Sequence, residues 1–392
     1  MLAASSVMAA WLATRIGLES GLAPGVMDWI THRPELATPV TGWKQLKEGV
    51  YLFQGGLDPY DSGSPLLLHL FSFIHSPILV ALVYGLVDCY SAWILLRLFR
   101  SKWPRNTGPV NSVKLKDDQW MLSPAYQIHD WHLILFYLFS PLNVLTSLSK
   151  STVVFNNLAV LLALDGALQS TYSTGASSRT LPNRTRGPNP RCALSIPDRM
   201  AFSMFSLSIG THLSVYPVLL VPSCIGIILD RRGSAVLFTQ LDVNKYLRPN
   251  VGLHWYFSIE MFDHFRNEKV FGFLVMTGII STFKSYPSIG DTSFSNTLLL
   301  LLYPELISYL RHPLLTISLY FYGLCLLPAF HHLWMNLGSG NANFYYASTL
   351  VWAVANGLFW IDAISAILKR NFQIVDLDAK EIDKSNEVII QT

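Results

Sequence analysis

Charge is what this chain lacks most. Of its 392 residues, 14% are Asp, Glu, Lys or Arg, against roughly 25% in an average soluble domain. A water-soluble fold of this length needs more polar surface than that supplies, which excludes an ordinary soluble domain. The formal net charge is +3, too small to suggest nucleic acid as a partner, and no basic stripe with interleaved aromatics stands out. Cysteine is scarce as well. Four are present and no Cys-x-x-Cys pair occurs, so neither a disulfide framework nor a zinc site is indicated. Cys89, Cys224 and Cys325 lie in apolar runs and read as small packing residues, while Cys192 lies in a polar loop. Missing too are a phosphate loop, a GxGxxG turn, an HExxH helix and a nucleophile elbow. No cofactor and no metal is implied.

In place of charge the chain has apolar length. Hydrophobic residues make up 51%, and the mean hydropathy is +0.35. A helix that crosses hydrocarbon needs about 20 mostly apolar residues. Ile78–Phe99 and Phe344–Leu368 are such runs, and Met200–Leu229 is longer, with Pro217 and Pro222 inside it. Met1–Thr14 lacks a basic leader and reads as an uncleaved first span. Further runs are Trp131–Ser147 and Thr152–Gln169, which form a helical pair around Lys150, then Val270–Phe283, Thr297–Leu310 and Leu314–Trp334. Pro65–Ser76 is too short to span and is set off by Pro77, as a re-entrant or interfacial piece would be. The expected fold is therefore all-α: a polytopic transmembrane helical bundle of roughly eight to ten spans, with no repeat of fixed period.

One membrane domain is expected over residues 1–370, followed by a polar tail at 371–392. Residues 17–64 read as a mixed first loop, and residues 170–199 as a flexible loop rich in Ser, Pro and Arg. Basic loops stay on the cytosolic side. Loops 97–129 and 170–199 carry the most Lys and Arg, which places the first loop in the lumen. The sequon Asn183-Arg184-Thr185 then faces the cytosol and stays unglycosylated.

Polar groups within apolar runs are costly and are functional by default, unless they join helices. Asp88, Asp165, Glu260, Asp263, His264 and Asp362 are of this kind, and the tandem amides Asn156 and Asn157 open an apolar helix. For Asp88 the helix-joining reading is favoured. His129, Asp130 and His132 cluster at a membrane entry, where an interfacial polar cluster is a better reading than a metal site. His331-His332 with Trp334 reads as part of an aromatic belt.

Several stretches, taken in order, resemble one family. They are Trp43-Lys44 through Glu48-Gly49, Asp58-Pro59-Tyr60 with Pro65-Leu66, Lys150-Ser151-Thr152 with Asn156-Asn157, and Tyr216-Pro217 with Pro222. Then come Pro249-Asn250-Val251-Gly252-Leu253, Trp255-Tyr256-Phe257, Glu260-Met261-Phe262-Asp263-His264-Phe265 and Phe283-Lys284-Ser285-Tyr286-Pro287-Ser288-Ile289-Gly290-Asp291. The last are His332-Leu333-Trp334, Gly338-Ser339, Asn341 and Asn343-Phe344-Tyr345-Tyr346-Ala347. The set resembles the phosphatidylinositol-glycan class U family, a multi-span subunit of the glycosylphosphatidylinositol (GPI) transamidase.

That resemblance implies a non-catalytic subunit in the endoplasmic reticulum membrane that binds or presents the GPI lipid while proprotein C-termini are exchanged for GPI anchors. The implied partners are a caspase-like cysteine protease that performs the chemistry, a β-rich lumenal subunit, a two-span large-loop subunit and a metallopeptidase-like multi-span subunit. Lys150, Asn156, Asn157, Trp255, Tyr256, His264, Lys284, Asn341 and Asn343 are the candidates for contact with GPI. Asp88, Glu260 and Asp291 are the candidate intramembrane structural groups.

The family is similar in architecture to GPI-pathway mannosyltransferases of the GT-C type, the alternative reading. Those enzymes carry an acidic pair in the first lumenal loop. Here that stretch reads Glu35-Leu36-Ala37-Thr38-Pro39-Val40, with one acid, and a sugar hydroxyl would lack its base. A transporter ranks third, because no internal pseudo-repeat is visible. The chain also departs from its family. Intervals that hold an extra span in other members, between Arg232 and Leu247 and after Phe265, are short here.

Overall fold

The computed structural model describes residues 2–22, 24–58, 64–102, 128–172, 196–230 and 269–390. Outside them lie Asn183, Cys192 and the candidates Trp255, Tyr256, Glu260, Asp263 and His264. Among the described residues every regular element is a helix, as the apolar runs predict. In chain order these are α1 (Leu2–Gly17), a π turn (Leu18–Leu22), α2 (Pro24–Thr31), α3 (Trp43–Gln54), α4 (Pro65–Ser72) and α5 (Pro77–Lys102). Next are α6 (Asp130–Leu138), α7 (Pro141–Leu148), α8 (Val153–Tyr172), α9 (Ile196–Leu213), a 3₁₀ turn (Tyr216–Leu220) and α10 (Val221–Asp230). The series ends with α11 (Lys269–Phe283), α12 (Ile289–Leu302), a second 3₁₀ turn (Pro304–Tyr309), α13 (Pro313–Met335) and α14 (Ala342–Ile390).

Three of these helices are long and apolar enough to cross a membrane: α5, α13 and the part of α14 from Ala342 to Phe372. A fourth crossing is available if α6 and α7, bent by 54° at their junction, form one broken span. Of the other expected spans, Met1–Thr14, Thr152–Gln169 and Val270–Phe283 form single shorter helices, and the rest are divided at proline. The run expected as Trp131–Ser147 breaks ahead of Pro141, which opens α7. The run expected as Met200–Leu229 gives way to the 3₁₀ turn that contains Pro217. Proline lacks an N–H and crowds the preceding turn. Residues 17–64, read from sequence as a mixed loop, contain the π turn, α2 and α3. α14 continues past Arg370 through most of the expected polar tail.

Two compact units make up the chain. The first comprises Met1–Leu98 and Ile134–Ser295. Its tightest helix pair is α8 with α9, where small residues let the backbones meet. A Cβ on Gly166 would lie 3.0–3.1 Å from Cβ, Cα and N of Ser203, and Ser203 Oγ donates to the Ala163 carbonyl at 2.7 Å. In lipid, where apolar contact alone does not drive association, such close packing is what joins helices. A second cluster gathers Leu46, Leu67, Leu68, Phe71, Val80, Tyr84 and Val154. Trp43, Phe71, Tyr84 and Phe155 pack there edge to face at 5.1–6.5 Å.

The second unit comprises Phe99–Leu133 and Asn296–Thr392. Within it α13 packs along α14. Asn296 Nδ2 donates to Tyr320 Oη, which donates to Asn356 Oδ1, both at 2.9 Å. Asp362 accepts the backbone N–H groups of Arg311 and His312 at 2.9–3.0 Å. Those groups sit at the start of α13, so an acid from another helix supplies the cap that α13 lacks in its own sequence.

Candidate functional site

The first unit holds a groove of about 410 Å³ between the aromatic cluster and the helices of the first loop. That volume lies within the range of small-molecule sites. One wall is a single face of α3: Trp43, Leu46, Lys47, Val50, Tyr51 and Gln54 all line it. Their spacing of three and four places them one above another on a helix. Lys44, Gln45 and Glu48, on the remaining face, are exposed. α3 is thus an amphipathic helix that turns its mixed aromatic and aliphatic side toward the groove. The floor is apolar, with Phe71, Ile74 and Val80 from α4, its C-terminal exit and α5.

Charge enters the groove at one end. Lys150 lies between α7 and α8, and Glu19 lies in the π turn after α1. Lys150 Nζ and Glu19 Oε1 are 2.5 Å apart, and the two side chains are 10% and 11% exposed. The ammonium also stands 5.5 Å from the centre of the Trp43 indole. Lys150 has φ +55°, the one positive φ at a non-glycine among the described residues. Such a conformation costs on the order of 1–3 kcal/mol and persists where the surroundings enforce it. They do so here. Tyr84, fully buried, donates to the Lys150 carbonyl at 2.7 Å, and Thr152 N–H donates to Thr41 O at 2.9 Å. Lys47 adds an exposed ammonium on the rim. The result is an apolar trough with a charge pair at its end and an indole beside the ammonium. It suits an amphiphile with a charged head.

Of the residues singled out from sequence, Lys150 alone among the described ones lines this groove. Asn157 lines a separate cavity of about 20 Å³ beside Trp11, Asp88, Asn143, Thr146 and Gly290, a volume that admits about one water. Asn156 is half-buried, and its Oδ1 is buried with no hydrogen-bond partner among the described residues. Lys284 is buried against Asp291. Asp291 in turn accepts from Ser288 N–H at 3.0 Å and Ser288 Oγ at 2.6 Å, while its own N–H donates to Ser288 Oγ at 3.3 Å. This reciprocal pair is a capping box at the start of α12. Asn341, in the second unit, accepts the N–H groups of Asn343 and Phe344 at 3.1 and 3.3 Å and so caps α14. Asn343 is exposed.

Asp88 is the centre of a buried network. Trp11 Nε1 donates to its Oδ2 at 3.2 Å, Ser147 Oγ donates to the same oxygen, and the Arg15 guanidinium lies 3.8 Å away. Arg15 also donates to the Ala81 carbonyl at 3.0 Å and the Ser147 carbonyl at 2.7 Å. Three helices, α1, α5 and α7, are thereby joined. Asp165 pairs with Arg97 at 2.9 Å. In the second unit, Asp130 takes Arg100 at 2.8 Å, and the rings of His129 and His132 lie 5.7 Å apart. Cys89, Cys224 and Cys325 are free thiols. Glu35 is buried and is not among the residues that line the groove.

Sequence reasoning missed Glu19 and Arg15. Each is a lone charge directly after the first apolar run, a position that could have marked it, but its partner is remote in the chain. Trp43 and Lys47 stood within a stretch already noted, without a role.

The family model described as GPI transamidase subunit PIG-U matches residues 9–239, 233–268 and 266–352. Its junctions fall at the two short intervals noted in the sequence. The Saccharomyces cerevisiae protein named GPI transamidase component GAB1 is 27% identical over 418 aligned positions, covering 92% of this chain and 93% of that protein. The Schizosaccharomyces pombe homolog of GAB1 is 28% identical, with 88% of each chain covered. The human protein named GPI-anchor transamidase component PIGU is 27% identical, covering 88% of this chain and 90% of that one.

Proposed function

The chain belongs to the PIG-U family of GPI transamidase subunits, and from that premise we propose that it serves the transamidase as a non-catalytic, multi-pass subunit that holds the GPI lipid. The observation that carries this reading is the groove on α3. It pairs an apolar trough with the Lys150–Glu19 charges and the Trp43 face, which are the contacts an acyl chain, a phosphate and a sugar ring each need. The endoplasmic reticulum is the compartment proposed. The proposed partners are the caspase-like protease, which cuts the C-terminal signal of the proprotein and joins the new carboxyl end to the GPI anchor, the β-rich lumenal subunit, the two-span subunit and the metallopeptidase-like subunit.

The test fills the trough. Val50→Trp, or Gln54→Trp at the last turn of α3, should lower GPI attachment at least severalfold in cells that lack the endogenous subunit, while the complex is recovered at its normal level. Normal attachment with either variant assembled would reject the groove as the lipid site.

A further inference from the structure

We infer that the charged end of this groove recognises a zwitterionic phosphodiester head group: a phosphate with an ammonium a few bonds away. The inference rests on the reading of the groove as a lipid site and specifies the ligand's chemistry. Glu19 and Lys150 neutralise one another across 2.5 Å, with about a tenth of each side chain exposed. A bare anion that approached Lys150 would have to displace Glu19 and then lie beside its carboxylate, a buried like-charge contact. A zwitterion exchanges one ion pair for two. Its phosphate takes Lys150, with Lys47 on the rim, and its ammonium takes Glu19. Charge-assisted hydrogen bonds of this kind are about twice as strong as neutral ones.

The indole of Trp43 adds a second, independent reason. It already faces one ammonium at 5.5 Å, and an indole face is the preferred aromatic partner of a cation. The strained backbone of Lys150 fits the same role. Tyr84 holds the lysine's backbone at φ +55°, which fixes where its side chain enters the groove, and the contact with Glu19 holds the ammonium there. The aliphatic side chains of Leu46 and Val50 on the wall and Ile74 on the floor would then receive the chain that follows the head group.

The experiment uses the assembled transamidase carrying this chain. The purified complex is incubated with an equimolar mixture of phosphatidylethanolamine and phosphatidylglycerol of one acyl composition, and the lipids retained after washing are quantified by mass spectrometry. The wild type should retain phosphatidylethanolamine in roughly tenfold preference, the scale of one charge-assisted contact. Glu19→Gln should bring the ratio close to one. Lys150→Asn should lower retention of both lipids, and asparagine tolerates a positive φ, so the turn is kept. Equal retention of the two lipids by the wild type, or a ratio untouched by Glu19→Gln, would overturn the assignment.

GPI attachment by the same variants separates two sources of such a head group, a bulk phospholipid and the GPI lipid itself. If Glu19→Gln removes the preference yet attachment stays normal, the zwitterion site stands and the groove is not where GPI sits. If attachment falls while the wild type shows no preference, the GPI reading stands and the zwitterion assignment fails.

Discussion

A carboxylate within an apolar helix has to be compensated, and Asp88 is met by two donors, an indole N–H and a hydroxyl, with a guanidinium charge 3.8 Å away. In the structure it links α1, α5 and α7 inside one unit. Removal of one partner of a buried pair costs about 3–5 kcal/mol, because the other charge is left uncompensated. Asp88→Leu should therefore lower the amount of assembled complex and its thermal midpoint. Arg15→Met combined with Asp88→Leu should recover much of that loss, since an apolar pair replaces an ion pair at little cost. Fluorescence-detected gel filtration of the tagged chain after a heat step would read both. A double variant no better than Asp88→Leu alone would mean that Asp88 has a function beyond its pairing with Arg15. Lys284 and Asp291 are paired in the same way, in the capped turn at the start of α12.

At the scale of elements, the long apolar runs were legible because length and composition alone decide them. Ile78–Phe99 became α5, Leu314–Trp334 became α13, and Phe344–Leu368 lies within α14. A break was legible at Pro217, less so at Pro141, which opens the second half of what reads as one run, while Pro328 lies inside α13 without ending it. α3 was not legible as a wall. Its apolar content is modest, and only its neighbours show which face is turned inward. The ion pairs were illegible for a related reason: Arg15 with Asp88, and Glu19 with Lys150, are remote in the chain and meet only through packing. The α8–α9 contact offers a direct test of an element. A side chain on Gly166 would collide with the Ser203 backbone at 3.1 Å. Gly166→Val should part the two helices and cost about 1–3 kcal/mol, as overpacking does. The thermal midpoint of the purified complex should drop, with GPI attachment falling only as far as complex recovery does. An unchanged midpoint would show that α8 and α9 have room to separate.

For the molecule as a whole, the question is whether these helices make bonds or hold a substrate for another chain. The stretch of the first loop where a lipid-linked mannosyltransferase carries an acidic pair holds one acid here, Glu35, which is buried away from the groove lining, with its backbone carbonyl bonded to the Ile289 N–H at 3.0 Å. At the groove, the carboxylate is Glu19, and its Oε1 is already engaged by Lys150 Nζ at 2.5 Å. A holder of lipid has a different signature from a transferase: it works only in company. Affinity purification of the tagged chain from endoplasmic reticulum membranes in mild detergent should bring down a caspase-like protease and the other transamidase subunits. The chain purified away from them should transfer no mannose from dolichol-phosphate-mannose to a GPI precursor. Turnover by the isolated chain, or its recovery without companions from membranes that contain an active transamidase, would make this a different kind of protein from the one its groove describes.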